Sequence, residues 1–200
     1  MMIFLPKAQR LSFRIPLSLL TVAVVTVALT SSAPAQNLAG RNTRAEISIK
    51  AGLISGMDMT GSRDLNTGVG ASLQLGAGFP VGSGFYIPVT FDFHNITISR
   101  ENQLMIVPSV GLKRGIYFPQ SEITLRPGGS IGFGYLSDQG DLRASQYLTY
   151  KIAVEAVFKM DKRRSWLGEL AYFNAPTGSS GADDVELGPG FLLRFGIIFK

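Results

Sequence analysis

The chain has a single histidine, His94, two residues after Asp92, so in an extended backbone both project from one face. Ser99 and Ser109 follow closely, and base, carboxylate and hydroxyl together are the residue types of a nucleophilic hydrolase. Their spacing is not diagnostic, and the competing expectation is that His94 is a polar residue at the rim of a pore. Asp183, Asp184 and Glu186 offer carboxylates for a divalent cation, without the spacing of an EF-hand loop. Gly68-Val69-Gly70 and Gly76-Ala77-Gly78 look faintly like a dinucleotide-binding turn. They fall inside an alternating stretch with no helix after it, which argues against a phosphate cradle. There is no cysteine, so disulfides and thiolate metal sites are ruled out. No catalytic, cofactor or metal site is therefore expected.

More informative is a set of ten charges: Glu46, Lys50, Asp92, Lys113, Arg126, Lys151, Glu155, Glu169, Glu186 and Arg194, five of each sign. Each falls on the polar face of a segment whose other face is apolar. Gathered in one interior they can neutralise one another; a buried charge without a partner is costly.

The elements that must carry these charges are β-strands. In the last stretch, ELGPGFLLRFGIIFK, every second residue is apolar from Leu187 to Phe199, and the intervening set carries Glu186 and Arg194. A period of two means a strand with two unlike faces. The same pattern predicts strands at 44–53, 67–79, 85–94, 103–118, 123–136, 146–160 and 165–173, with the eighth at 186–200. Connections at 55–66, 95–102, 137–145 and 174–184 read as long polar loops; those at 80–84, 119–122 and 161–164 read as tight turns. An even number of strands joined by hairpins predicts an antiparallel meander rather than βαβ units. Pro88, Pro108, Pro127 and Pro189 interrupt strands and are expected at bulges or strand ends.

Outward aromatics fall in two groups. Phe79, Phe85, Phe118, Phe158, Trp166 and Phe199 sit near the tight turns and chain end, and Phe93, Tyr135 and Tyr172 near the loops. Two aromatic rings bracketing an aliphatic band are what two membrane–water interfaces select. Closure into a barrel also removes the exposed edges of a long open sheet. The expected fold is an all-β, eight-stranded, antiparallel up-and-down transmembrane barrel spanning 44–200, with a short polar tail at 36–43.

Residues 1–35 read as a cleaved export signal. Lys7, Arg10 and Arg14 precede an apolar run at 17–29, and Ala33-Pro34-Ala35 supplies a cleavage site before Gln36. Without this segment 16 basic residues face 14 acidic ones, a net charge of +2, so the basic balance of the whole chain is no nucleic-acid footprint.

The signal ending APAQ, the glycine-rich strands GVGASLQLGAGF and GGSIGFGYL and the C-terminal strand resemble the small outer-membrane β-barrel family, the OmpA-like and OmpX-like barrels. The resemblance implies a bacterial outer-membrane location, contact with membrane lipid and lipopolysaccharide, and recognition of the C-terminal strand by the barrel-assembly machinery. That family usually ends on an aromatic residue, whereas here Phe199 is followed by Lys200. Some barrels of this size modify lipid A with a rim histidine, which keeps His94 in view. The expected function is a non-enzymatic, monomeric envelope protein acting through its loops. The alternatives are a narrow channel for ions or small apolar molecules, a lipid A-modifying enzyme, or a soluble lipocalin-like barrel with an apolar interior.

Overall fold

In a computed structural model the protein is described at residues 45–60, 65–66, 68–98, 101–136, 145–179 and 186–200. Eight long strands build it: β1 Glu46–Ile54, β2 Gly70–Gly82, β3 Phe85–Ile98, β4 Glu101–Arg114, β5 Ile123–Leu136, β6 Ser145–Lys159, β7 Arg164–Ser179 and β8 Glu186–Phe199. Each pairs antiparallel with the next, and β1 pairs with β8, from Ile47 with Phe199 to Ile54 with Leu192. The sheet is therefore a closed barrel. Short segments Asp58–Thr60 and Leu65–Asn66 pair with each other, and the first extends the loop end of β8.

The strands are staggered, as closure with tilted strands requires. From Ile47 the paired residues run through Ala77, Val89, Val110, Ile131 and Tyr150 to Asn174 on β7. In the other direction Ile47 reaches Phe199 and then Arg164, at the opposite end of that same β7.

Alternation decides which side chains face out. Leu73, Val110 and Phe191 on the outer surface are 42%, 48% and 59% exposed, whereas Lys151 and Arg194 inside are 8% and 0% exposed. The outer surface is an apolar belt of Ile, Leu, Val and Phe, the reverse of a soluble core.

Several boundaries differ from expectation. Within the region 95–102, expected as a loop, residues 95–98 and 101–102 continue the β3–β4 ladder, with Ile96 opposite Gln103 and Ile98 opposite Glu101. Its composition is polar, but alternation persists through Ile96 and Ile98, so the ladder continues. Likewise β7 runs to Ser179 instead of ending at 173, with a register shift between Asn174 and Thr177 on the β6 side. The fourth predicted strand, 103–118, breaks at Gly115. The short segment Ile116–Phe118 then pairs with β5 alone.

Pro189 lies beside the register shift between Phe173 and Ala175, as expected of a bulge. Pro127 is paired with Val154 in an unshifted ladder on one side, and on the other falls in the gap between the Lys113–Gly128 and Ile116–Leu125 pairs, beside the end of β4. Pro88 and Pro108 sit where the β3–β4 and β4–β5 ladders skip pairs, because proline has no N–H to donate. The turn from β2 to β3 places Gly82, Ser83 and Gly84 at φ of 96°, 50° and 78°, the left-handed region where glycine carries no penalty. At the closing seam, a Cβ on Gly196 would overlap the carbonyl oxygen of Ile49. Glycine is what lets β1 and β8 approach there.

Candidate functional site: the filled lumen

The inward side chains form three tiers. At the tight-turn mouth, Val157, Leu167 and Ile198 pack together. Close by, Arg126 on β5 donates to both oxygens of Glu46 on β1, at 2.7 and 3.1 Å, a bidentate pair, and stands 4.5 Å from the Tyr86 ring. A cleft beside them encloses about 30 Å³, room for one or two waters.

The middle tier is a continuous ion network. Lys113 donates to Glu155 at 2.6 Å. Lys50 donates to Glu155 and Glu169, and Arg194 donates to Glu169 and Asp92. Lys151 reaches Asp92 at 3.1 Å, and Gln74 donates to Asp92 at 2.7 Å. These partners come from seven of the eight strands, all but β5, so the network spans the lumen from wall to wall. Inward Gly128 on β5 leaves room for Lys113, whose Cγ would lie 2.5 Å from a Cβ placed there. Of the ten charges singled out in the sequence, nine are brought together here and at the mouth. Glu186 pairs through its backbone at the loop end of β8, and its side chain lies outside the described residues.

Above the network the interior turns apolar. Ile54, Met57, Ile96, Met105, Leu136, Tyr147, Phe173, Leu187 and Leu192 are among the buried residues of one cluster. This corrects the expectation of an inward set defined by its charges: the charged face extends over only part of the barrel height. The signal was present in the sequence, since Met105, Val107 and Leu192 hold inward positions by alternation.

His94 is fully buried in this upper region, its ring centroid 5.3 Å from that of Phe173. It is not a rim residue. Its ring nitrogens and the side-chain amide of Gln103 have no hydrogen-bond partner among the described residues. Asp92 is occupied by Arg194, Lys151 and Gln74, and Ser109 is hydrogen-bonded to Thr90 at 2.7 Å. The histidine, carboxylate and Ser109 are thus not assembled as a triad. Ser99 lies outside the described residues, as do Asp183 and Asp184.

The aromatic sets sit on the outer surface at the two ends. Phe79, Phe118, Phe158, Trp166, Phe199 and Tyr135 are exposed, and Phe85, Phe93 and Tyr172 are half-buried. Tyr172 packs edge-on against Phe191 at 5.8 Å.

A closed eight-stranded barrel, apolar outside and ion-paired inside, decides the fold family. This chain has the fold of the small outer-membrane β-barrels. Neisserial surface protein A superposes with a TM-score of 0.57 at 11% identity, over 77% of this chain and 96% of the other. The outer-membrane protein OprG from Pseudomonas aeruginosa gives 0.55 at 9% identity, over 79% and 97%. No protein-family model and no curated protein sequence matches the chain. At these identities the likeness is one of fold.

Proposed function

We propose that the protein is an exported, monomeric, non-enzymatic barrel of the bacterial outer membrane, sealed through its middle, that works through the surface it presents at the loop end. The observation that carries this is the wall-to-wall network of Lys50, Glu155, Glu169, Arg194, Asp92 and Lys151, which supports a lumen closed to ions. The apolar belt and its aromatic borders support the membrane location. Export is assigned to residues 1–35, removed before Gln36. Lipid and lipopolysaccharide are the surrounding partners, and the C-terminal strand is the segment offered to the assembly machinery. One of the two similar structures is named a surface protein, in keeping with a role at the cell exterior.

The test is conductance in planar bilayers. The purified barrel is expected to insert and stay electrically silent; discrete ohmic steps in potassium chloride contradict a sealed lumen.

A second reading has its own observation. The apolar character of the upper lumen favours a small apolar molecule over an ion, with the packed side chains of that cluster having to part to admit it. Saturable uptake of an environment-sensitive apolar dye, lost in Leu192→Glu, supports it; non-saturable partitioning removes it.

A further inference from the structure

The tight-turn end of the barrel is not evenly charged. The β2–β3 turn consists of Gly82, Ser83 and Gly84, and the β4–β5 turn carries one acid, Glu122. Between β6 and β7, by contrast, Lys159, Lys162, Arg163 and Arg164 are all exposed. The only acid in that turn is Asp161. It accepts from the backbone N–H groups of Arg163 and Arg164 at 2.7 and 2.8 Å and from Arg164 Nε at 2.8 Å. Asp161 therefore offsets Arg164 and leaves the side chains of Lys159, Lys162 and Arg163 facing solvent.

The chain end adds to the patch. The Lys200 amide donates to the Arg163 carbonyl at 2.8 Å, seating the last residue on the same turn. Burial, with Arg126 and Lys159 adding to it, moves the Lys200 ammonium below the usual lysine value. Among the described residues its acidic contact is Glu46, at 3.6 Å, which already holds Arg126.

This cationic patch stands against an aromatic border. Trp166 is paired with Phe158 across β6 and β7, and Phe199 with Arg164 across β7 and β8. Phe158, Met160, Trp166 and Phe199 are exposed on the outer surface. Basic side chains one step beyond an aromatic belt lie at the depth of lipid phosphates, where cations attract anionic headgroups. The apolar border fits the acyl chains of the same molecule.

We propose that the β6–β7 turn and the C-terminal residue form a binding site for an anionic phospholipid of the leaflet on the tight-turn side. The phosphate sits among Lys159, Lys162, Arg163 and Lys200, and the acyl chains lie along Phe158, Trp166 and Phe199. This rests on the membrane-spanning reading above.

The test uses the full mature barrel folded in detergent and native mass spectrometry with added phosphatidylglycerol or phosphatidylcholine. Wild type is expected to retain phosphatidylglycerol over phosphatidylcholine. Lys159→Ala/Lys162→Ala/Arg163→Ala is expected to bind it about tenfold to a hundredfold more weakly. Arg114→Ala, which removes a cation stacked 5.5 Å from Phe85 elsewhere at this end, should leave the preference intact. Lys162→Glu, a single exposed change, serves as the second variant should the triple substitution not fold, and should also weaken retention. Equal retention by these variants and wild type overturns the site, as does equal loss in Arg114→Ala or no preference in wild type. Insertion of wild type into pure phosphatidylcholine vesicles separates the two readings. If it inserts there but shows no anionic preference, this site alone falls. If it does not insert, the membrane reading falls as well and takes the site with it.

Discussion

Arg194 on β8 donates to Asp92 on β3, across the lumen, and to Glu169 on the adjacent β7. One guanidinium thus ties opposite walls of the barrel, and it does so at 0% exposure. Removing it leaves two buried carboxylates with one cation fewer. Replacing one member of such a set typically costs about 3–5 kcal/mol, because the partner's charge stays buried. Arg194→Met is expected to lower barrel stability by that order, read as the shift in urea unfolding in vesicles. Combined with Asp92→Asn, the loss is expected to be smaller than the sum of the two single losses, since the Arg194–Asp92 contact is counted in both; strictly additive losses contradict direct coupling.

Closure depends on a bare backbone at the seam. Gly196→Ala would drive a methyl group into the Ile49 carbonyl, and β1 and β8 would have to separate. The expected result is a reduced fraction of the heat-modifiable folded band on unboiled gels. Gly168→Ala on β7, where a Cβ meets only the Phe195 ring at ordinary contact distance, should fold as wild type does.

The β6–β7 turn carries a pH dependence of defined sign. The N–H of Arg163, joined by the Arg164 side chain and N–H, holds the Asp161 carboxyl below the usual aspartate value. A depressed value means that the ionised form supports the turn. That support is complete above the ordinary aspartate range and disappears as pH falls through the depressed value. Exchange protection of the Arg163 and Arg164 amides should therefore be higher in wild type than in Asp161→Asn near neutral pH. The two should converge in strong acid; a difference that persists there contradicts the assignment.

Alternation carried the fold. Leu73, Val110, Lys151 and Arg194 fall on the sides their positions predict, because a period of two allows only two faces. Alternation does not report height. That Arg194 meets Asp92, or that Met105 stands opposite His94, depends on the stagger between strands, which no single strand encodes. The β3–β4 hairpin escaped for the opposite reason: polar composition at 95–102 suggested a loop while Ile96 and Ile98 kept the ladder going. The break of β4 at Gly115 falls in the ladder gap that holds Pro127 on β5, which has no N–H to donate, and that cross-strand neighbour is set by register, not by the strand's own sequence.

The central claim is that the apolar side chains coat the outside and the charges fill the middle. The chain lacks cysteine, so single cysteines can be introduced at Leu73, Val110, Phe191 and Ser72 and spin-labelled in lipid vesicles. Labels at the first three should collide readily with dissolved oxygen and be shielded from a water-soluble nickel chelate, while the label at Ser72 should be shielded from oxygen in lipid. Nickel-accessible labels at Leu73, Val110 and Phe191, with an oxygen-accessible label at Ser72, would contradict the account.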